Sequence, residues 1–401
     1  MVMQSRLSCL RPICTARLLH LHRRSTIKPD QMRIAVVGAG ISGAVCASSL
    51  AREGVAVTVF DSGRGPGGRT SHRRETAHDG GDLSFDHGAP CFIVSDGEVA
   101  GLVAEWEARG LVAAWKERFG SFDKGGFVEA EEVGVMKRYV GVPGMNSMCK
   151  ALCSETGIEA KFGVTVGKLE WVEERREWSL MGLDGSDLGC FDGVIASDKN
   201  VVSSRFTGVH GKPPPLDISK LAPDVAVKLH DVPVRPCFAL MLAFSESLSS
   251  IPFKAFSFKN SNVLSWAFCD SSKPGRSVGN GECWVLHSTA DYATSIITKT
   301  GLQKPSSETL SLVAGELFQE FRSMGLHIPQ PFFMRAHRWG SAFPAVSVGG
   351  DDKCLFIKNK KMAICGDFCA SPNVEGAILS GKRAASKLLE MLRVVCDESN
   401  L

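Results

Sequence analysis

Apolar positions near the start of the chain predict a strand, a helix and a second strand. Arg33–Val37 is a short β-branched apolar run of the kind found in buried parallel strands. Residues 44–52 carry small side chains at helical spacing, and residues 56–60 form a second apolar run that ends at Asp61. This order predicts a β-α-β unit within a parallel sheet covered by helices.

Similar patterns occur in the middle and near the end of the sequence. Residues 162–166 and 192–196 indicate strands that return to the first sheet, and residues 362–365 indicate a further strand. A helix is predicted from residue 374 to about residue 393, because apolar residues recur there at helical spacing: Ala377, Ala384, Leu388 and Leu392. The first sheet is therefore expected to be assembled from both ends of the chain.

The residues between these elements predict a second sheet. Residues 237–244 form an apolar stretch whose length suits a buried strand, and residues 257–267 and 283–288 alternate as strands do. This middle region is therefore expected to fold as an α+β unit with a mixed or antiparallel sheet.

A glycine-rich turn joins the first strand to the first helix. Gly38 permits the tight turn, Gly40 lets backbone N–H groups approach a pyrophosphate, and Gly43 lets the helix pack close to the strand. The helix N-terminus, with Ser42 in its first turn, presents unsatisfied N–H groups and a partial positive charge to phosphates. Asp61 is placed to accept hydrogen bonds from ribose hydroxyls. Together these features predict a Rossmann-like dinucleotide-binding fold of the α/β class.

The loop after Asp61 favours FAD over NAD. Arg64 and Arg69 flank a glycine-rich stretch that includes Gly68. Glycines there let the backbone lie against a flat or anionic ligand, and the arginines can neutralise the pyrophosphate, or Arg69 can reach the flavin side. The turn, the acid and this loop resemble the amine-oxidase superfamily of flavoproteins, in which a loop with a glycine doublet follows the ribose acid. This resemblance implies FAD, bound non-covalently, as the cofactor.

Residues 84–92 resemble one subgroup of this superfamily in particular. The segment from Asp86 to Ala89 is similar to that of renalase-like proteins within the superfamily, where this strand and turn run beside the flavin ring. Pro90 and Cys91 stand where glutamine and tyrosine are usual, which indicates a drier or reshaped pocket. Pro90 is therefore a candidate cofactor contact, and Cys91 is a candidate pocket residue.

The segment that begins at Gly366 resembles the closing motif of the same flavoproteins. By this resemblance Gly366 and Asp367 hold the ribityl hydroxyls and the pyrophosphate region, and the helix start at Val374 points at the flavin pyrimidine. For Glu375 two interpretations stay open, since an acid in the first turn of a helix is favourable by itself. The resemblance also implies a contact between the Val166 backbone and adenine.

These motifs predict a discontinuous FAD-binding domain and an inserted α+β substrate domain. The FAD-binding domain is assigned residues 30–100, 143–205 and 355–401, and the substrate domain residues 101–142 and 206–354. Segments of the substrate domain around Arg235, His287 and Trp339 also resemble the renalase-like group. Trp339, His337 and His287 are candidate pocket residues, although a lone histidine beside apolar strands is more often a hydrogen-bonded core residue.

The composition of the chain predicts an N-terminal leader and argues against several classes of function. Residues 1–29 hold six basic residues and no acid, as organellar transit peptides do, and resemblance to plant members favours the chloroplast over the mitochondrion. The rest of the chain has 40 basic and 43 acidic residues, so nucleic-acid binding is not expected. There is no apolar run of 18 residues, which argues against a transmembrane segment. The 14 cysteines lack zinc-site spacing, so no metal is expected.

Three functions fit these motifs. The first is a renalase-like oxidoreductase, in which a small nitrogen-containing substrate such as a reduced nicotinamide-type ring gives a hydride to flavin N5. Dioxygen or another acceptor then reoxidises the flavin, so the partners are a small molecule and dioxygen or an NAD(P)H-type reductant. The second is an amine or polyamine oxidase, whose substrate nitrogen commonly lies between two tyrosines, whereas this chain has only Tyr139 and Tyr292. The third is a flavin-binding protein without turnover.

Overall fold

The computed structural model describes residues 31–76, 80–124, 126–130, 137–230, 232–276 and 281–398. The leader predicted over residues 1–29 lies outside these ranges. The strands within them are β1 (Arg33–Val37), β2 (Ala56–Asp61), β3 (Arg73–Thr76), β4 (Asp82–Phe85), β5 (Phe92–Ile93), β6 (Val112–Ala114), β7 (Phe119–Asp123), β8 (Gly126–Glu129), β9 (Arg138–Gly141), β10 (Ile158–Phe162), β11 (Val166–Val172), β12 (Glu177–Gly182), β13 (Asp187–Phe191), β14 (Gly193–Ala196), β15 (Val234–Phe244), β16 (Ala255–Phe258), β17 (Leu264–Cys269), β18 (Glu282–Ser288), β19 (Phe333–Pro344), β20 (Leu355–Ile357) and β21 (Met362–Ile364).

The α-helices of the described residues cover the faces of these sheets. They are α1 (Ile41–Arg52), α2 (Gly97–Ala108), α3 (Ser147–Cys153), α4 (Arg205–His210), α5 (Ile218–Leu221), α6 (Pro223–His230), α7 (Ala290–Thr300), α8 (Ser307–Arg322) and α9 (Val374–Glu398). Among them no helix is both long enough and apolar enough to span a bilayer.

β1 lies inside a six-stranded sheet with the order β10-β2-β1-β14-β21-β20. The first five strands are parallel, and β20 pairs antiparallel with β21. Both faces of β1 are buried: Ile34 and Val36 face a core formed with α1, α2, α3 and α9, whereas Ala35 and Val37 face a core formed with β11–β13, α5 and α6. An apolar run with no polar alternation forms a strand of this kind. The predicted Rossmann-like α/β fold is confirmed, with strands drawn from both ends of the chain.

One predicted strand of this sheet is wrong. The strand expected at residues 162–166 lies earlier, because β10 ends at Phe162 and pairs with β2. Gly163 has a positive φ of 72°, and the backbone N–H groups of Gly163 and Val164 donate to Gly63 and Asp61, which turns the chain away from the sheet. Val166 therefore begins β11 of a separate three-stranded sheet, β11-β12-β13. The strand predicted at residues 192–196 is confirmed as β14.

A seven-stranded sheet with the order β19-β15-β18-β17-β16-β7-β8 forms the second layer. Its neighbours are antiparallel except for the parallel pair β16 and β7. Even-numbered residues of β15, from Phe238 to Phe244, pack with α7 and α8, while odd-numbered residues from Ala239 to Ala243 pack against Phe85 and Trp339 on the opposite face. The mixed or antiparallel sheet predicted for the middle region is therefore present.

Residues 257–267, predicted as one strand, form parts of two. β16 ends at Phe258 and β17 begins at Leu264, and they pair antiparallel. Polar residues occupy the connection, where the Ser261 hydroxyl accepts from the backbone N–H groups of Val263 and Leu264 and stabilises the turn. The alternating pattern therefore predicts strand on both sides, and the polar turn at Ser261 divides the run into two strands.

The predicted substrate region contributes to more than one layer. β7 and β8 join the seven-stranded sheet, whereas α2 packs in the core beside α1 and α9. The proposed domain boundaries at residues 100, 142, 205 and 354 stay predictions.

Candidate functional site

A cavity of about 610 Å³ opens at the carboxyl ends of the parallel strands, where ligands bind in sheets of this kind. Of the residues selected from sequence, those that line it are Gly38, Gly40, Ser42, Asp61, Gly68, Arg69, Pro90, Cys91, Trp339, Gly366, Asp367 and Val374. The others, Gly43, Arg64, Val166, Glu375, His287 and His337, lie outside its lining. The cavity thus brings together segments from positions 38 to 374.

The turn after β1 needs its glycines for identifiable reasons. Gly38 has a φ of 108°, and a Cβ there would lie 2.7 Å from Ser197 Oγ. A Cβ on Gly43 would lie 2.0 Å from the Gly38 carbonyl oxygen, so α1 can approach β1 only without a side chain. Gly40 differs, because a Cβ there would meet nothing within 4 Å and would project into open space. Gly43 is therefore a packing residue, and Gly40 leaves room for a ligand.

The N-terminus of α1 is equipped for an anion. Its N-cap is Gly40, which supplies no capping side chain, and its first turn holds no acid. The Ser42 hydroxyl is buried beside the Cys365 thiol and makes no hydrogen bond of normal geometry within the described residues. N–H groups without intrahelical partners, together with the Ser42 hydroxyl, lie at the positive end of a 12-residue helix and suit the phosphates of a dinucleotide.

Asp61 stands at the end of β2 and lines the cavity. Its Oδ2 accepts from the Ala39 N–H at 2.6 Å, and its Oδ1 accepts from the Gly63 N–H at 2.6 Å. A carboxylate has about four lone-pair sites, so acceptor capacity remains for ligand hydroxyls. The two bonds also fix the orientation of the carboxylate between the two glycine-rich loops.

Arg69 and Asp367 connect the two ends of the site. Arg69 Nη1 donates to Asp367 Oδ2 and Nη2 to Oδ1, both at 2.6 Å. Gly366 has a φ of 152°, and its N–H donates to the Ser380 hydroxyl of α9 at 2.9 Å. Arg64, the other arginine of the loop, is exposed and outside the lining.

The Glu375 carboxylate accepts hydrogen bonds from a different segment, residues 95 and 96. Its Oε1 accepts from the backbone N–H groups of Ser95 and Asp96 at 2.5 and 2.6 Å, and its Oε2 accepts from the Ser95 hydroxyl at 2.9 Å. Asp96 is itself the N-cap of α2. These contacts support the interpretation of Glu375 as an acid that stabilises local structure.

Three aromatic rings form a cluster at one side of the cavity. The ring centroids of His87, His337 and Trp339 lie between 4.6 and 5.0 Å from one another. The His87 carbonyl oxygen accepts from Trp339 Nε1 at 2.9 Å and lies 3.2 Å from His287 Nε2. These contacts fix the Trp339 indole, whose ring reaches the cavity lining while both histidines stay behind it.

Burial keeps these histidines neutral. It lowers the pKa of His87 to about 3, helped by His337 and Arg73, and the pKa of His287 and His337 to about 4. Because the His87 carbonyl oxygen can only accept a hydrogen bond, the neutral His287 carries its proton on Nε2. His87 Nδ1 is buried and has no partner within the described ranges.

Pro90 and Cys91 line the cavity where the turn after His87 enters it. The turn docks on the arginine loop, since Ala89 N–H donates to the Arg69 carbonyl at 2.7 Å and a Cβ on Gly88 would lie 2.1 Å from the same oxygen. Burial raises the pKa of the Cys91 thiol to about 11, so it is uncharged at neutral pH.

Behind this turn lies a buried ionic network that the sequence analysis missed. Asp86 is paired with Arg276, with Lys273 at 3.2 Å and with His72 at 2.8 Å, and Lys273 also pairs with Asp270. Burial by itself raises the pKa of Asp86, but Lys273, His72 and Arg276 together hold that pKa well below its usual range. The basic and acidic residues recur every third position from 270 to 276, a spacing that could have drawn attention to them.

The network fixes the turn that carries the aromatic cluster. The Asp86 N–H donates to Asp270 Oδ2 at 2.7 Å, and the Met145 N–H donates to Asp86 Oδ1 at 3.0 Å. The segment after β17 therefore clamps the end of β4, one residue before His87.

Two further cations of the lining were also missed, Lys199 and Arg205. Both follow β14, on the segment that closes the cavity beside the turn after β1. The two tyrosines weighed for an amine-binding aromatic box are elsewhere: Tyr139 stacks on Phe92 at 5.7 Å, and the Tyr292 hydroxyl donates to Glu316. Neither belongs to the lining.

Comparison with known proteins places this fold. The family model of an NAD(P)-binding Rossmann-like domain matches residues 36–106. A protein from Pyrococcus furiosus is similar over 89% of this chain and 98% of its own, with a TM-score of 0.59 and 13% identity.

Two structures of putrescine oxidase are also similar. The wild-type enzyme bound to putrescine has a TM-score of 0.56 at 13% identity, over 90% of this chain and 99% of its own. A triple mutant with redesigned cofactor binding has a TM-score of 0.56 at 12% identity over the same shares. The chain therefore has a Rossmann-like nucleotide-binding fold and shares the overall architecture of putrescine oxidase.

Proposed function

We propose that this protein binds FAD non-covalently and is an FAD-dependent oxidoreductase. The observation that carries the proposal is the single cavity that joins the α1 N-terminus, Asp61 and the Arg69–Asp367 pair. Its volume lies in the range of cofactor and ligand sites. The similarity to putrescine oxidase over 90% of the chain agrees with this proposal.

Each part of the cavity suits one part of the cofactor. The α1 N-terminus with Ser42 would hold the pyrophosphate, and Asp61 would accept from the ribose hydroxyls. Arg69 and Asp367 would contact the pyrophosphate and ribityl region. Cys91 is the one cysteine among the described residues that line the cavity. Its raised pKa disfavours the thiolate that a covalent link from cysteine to flavin would need, which supports non-covalent attachment.

Bound flavin would supply the redox chemistry by accepting a hydride from a carbon next to nitrogen and passing the electrons to dioxygen or another acceptor. The chain would then bind and orient the substrate. Trp339, Phe343 and Pro344 line the cavity, and as an apolar wall they would exclude water from a flat ring. The neutral His87, His287 and His337 stay behind this wall and hold Trp339 in place.

We favour a renalase-like substrate, a reduced nicotinamide-type ring, over an amine or polyamine. The flat apolar wall formed by Trp339 supports it, and the positions of Tyr139 and Tyr292 outside the lining weaken a tyrosine-boxed amine. Amine oxidation stays the second candidate because putrescine oxidase shares the fold. We also propose import into an organelle, with the chloroplast favoured, on the composition of residues 1–29.

The first test is the visible spectrum of the purified protein before and after heat denaturation. We expect a yellow protein that releases intact FAD into the supernatant. A colourless protein that added FAD cannot reconstitute would overturn the proposal, and a flavin that stays with the denatured chain would overturn non-covalent attachment.

The second test uses the flavin-loaded protein under anaerobic conditions. Bleaching of the flavin by reduced nicotinamide-type rings, but not by putrescine or simple amines, is the expected result. The reverse preference would favour the amine oxidase, and a flavin that no reductant bleaches would favour a binding protein without turnover.

A further inference from the structure

Arg205 is one of the cations that line the cavity, and several apolar residues share that lining. It is the first residue of α4, and it lines the cavity together with Val209, Val234, Trp339 and Phe343. Its guanidinium end rests against β19, since a Cβ on Gly340 would lie 2.2 Å from Arg205 Nη2. Gly340 follows Trp339 directly in β19, and Arg205 and Trp339 both line the cavity.

The Arg205 side chain has no acidic partner among the residues that the structure describes. It is half-buried, and burial lowers its pKa. Its ionisable neighbours include Lys199 and Arg338, which are both cations. Their own polar contacts go elsewhere: Lys199 donates to the Val232 carbonyl, and Arg338 donates to the carbonyls of residues 301–303.

The acids of the lining are engaged with other groups. Asp61 accepts from two backbone N–H groups, and Asp367 is paired with Arg69. Asp198 accepts from the Asn200 N–H, and burial raises its pKa. A partly desolvated guanidinium without an acid is costly to the protein unless a ligand supplies the anion.

We propose that the substrate of this cavity carries an anionic group, a carboxylate or a phosphate, which Arg205 binds beside Trp339. This inference rests on the proposed function, because it concerns the substrate half of the same cavity. A planar ring against Trp339 with an anion on Arg205 satisfies both the apolar wall and the guanidinium. A polyamine would place positive charge next to Arg205, Lys199 and Arg338, so it is disfavoured.

The test compares three probes of nearly equal size on the flavin-loaded protein: benzoate, benzamide and benzylamine. Binding is measured from the perturbation of the flavin absorption spectrum and, independently, by titration calorimetry. We expect benzoate to bind about tenfold or more tightly than benzamide and benzylamine, as a charge-assisted hydrogen bond implies. Phenyl phosphate in place of benzoate distinguishes a phosphate site from a carboxylate site.

Variants assign the preference to Arg205. Arg205→Met is expected to bind benzoate and benzamide equally, and Arg205→Lys to retain part of the difference. Arg175→Met is the matched control, because Arg175 lies on an exposed hairpin outside the cavity lining. It is expected to behave as the wild type.

Several outcomes would overturn the inference while leaving the proposed function intact. They are tightest binding of benzylamine, equal binding of all three probes to the wild type, or an undiminished benzoate preference in Arg205→Met. If Arg205→Met instead loses FAD, Arg205 belongs to the cofactor site and the inference is wrong. Absence of flavin from the wild-type protein would be a failure of the proposed function itself.

Discussion

Arg69 and Asp367 lie 298 residues apart in the sequence and meet through two parallel N–H···O bonds of 2.6 Å. The Asp367 side chain is 4% exposed and that of Arg69 is 35% exposed, so the pair stands at the border between core and cavity. A planar guanidinium can satisfy both carboxylate oxygens at once, which an ammonium group cannot do. The pair fastens the loop after β2 to the turn after β21.

Replacing this arginine tests the pair. Arg69→Met is expected to weaken FAD binding about 10- to 100-fold and to lower the free energy of unfolding by about 1–2 kcal/mol, because the buried Asp367 loses its donors while water replaces them in part. Flavin-fluorescence titration of the apo-protein and urea unfolding measure the two effects. Arg69→Lys is expected to have an FAD affinity and a stability between those of the wild type and Arg69→Met. Unchanged FAD affinity in a folded Arg69→Met would contradict the assignment.

Gly40→Asp is expected to act in opposite directions on the apo-protein and on ligand binding. Gly40 has φ −66° and ψ 173°, which any residue can adopt, and a Cβ there meets nothing within 4 Å. An aspartate N-cap stabilises a helix by about 0.5–1 kcal/mol relative to a poor cap, and less relative to glycine. The same carboxylate would repel phosphates, so FAD binding should be lost. Thermal unfolding and flavin content of the purified variant measure the two effects, and a yellow Gly40→Asp protein would be the contrary result.

Gly43→Ala isolates the packing role of this turn. The added Cβ would lie 2.0 Å from the Gly38 carbonyl oxygen and 2.4 Å from Ser197 Oγ. We expect a loss of about 2 kcal/mol or more in the free energy of unfolding. Gly101→Ala in α2 is the matched control, because a Cβ there meets nothing within 4 Å, and it should gain up to about 1 kcal/mol. Equal stabilities of the two variants would show that α1 can move away from β1.

The turn between β1 and α1 shows which features of the fold a single sequence can predict. The β1–α1–β2 unit and its glycines follow from local rules, since strand burial, helix start and turn geometry each depend on residues within a few positions. The strand predicted at residues 162–166 is wrong because that prediction also used only local rules. Its apolar pattern was correct, but Gly163 and its bonds to Gly63 and Asp61 turn the chain through contacts about 100 residues away.

Lys273→Met tests the buried network behind His87. The Lys273 and Asp86 side chains are both 0% exposed, so removal of the ammonium leaves two carboxylates short of positive charge. We expect the free energy of unfolding at neutral pH to fall by about 3–5 kcal/mol. Lys168→Met is the control, because Lys168 is 56% exposed and its pair with Glu170 should contribute less than about 1 kcal/mol.

The pH dependence of this variant has a defined sign. The pKa of Asp86 is held below its usual range in the folded protein, so the network stabilises the fold above the ordinary carboxyl pKa of about 4 and loses that contribution as the pH falls further. The difference between wild type and Lys273→Met should therefore be largest at neutral pH and should shrink below about pH 4. A difference that is constant with pH would exclude a role of the Asp86 charge.

His287→Gln tests the neutral histidines. The pKa of His287 is about 4 in the folded protein, against an ordinary value of about 6.5, so the unfolded chain takes up a proton first as the pH falls. Each such histidine lowers stability by up to about 1.4 kcal/mol per pH unit between roughly pH 6.5 and pH 4. Glutamine can still donate to the His87 carbonyl but does not titrate. The variant should have near wild-type stability at pH 7 and a shallower decline toward pH 4.5, measured by urea unfolding at several pH values. Identical slopes would show that His287 takes up its proton equally in the folded and the unfolded chain, which would contradict a lowered pKa.

The candidate site was predictable only where its chemistry is local. Gly38, Asp61, Arg69 and Asp367 lie in recognisable motifs. Arg205 and Lys273 do not, since their roles arise from contacts with segments far away in sequence; Lys273 and Asp86, for example, are 187 positions apart. Glu375 shows the same limit: its first-turn position allowed two interpretations, and its contact with residues 95 and 96, which supports a role in local structure, could not be predicted from the sequence.

The separation of Arg69 from Asp367 has a consequence for biosynthesis. On the ribosome Asp367 is added 298 residues after Arg69, so the glycine turn and the loop that carries Arg69 emerge long before the carboxylate that anchors Arg69. Until then the cleft lacks one wall, and a nascent chain cannot enclose a nucleotide. Any chain terminated prematurely before Gly366 would leave the ribosome without a closed site, so loading with ligand reports that translation has passed this point.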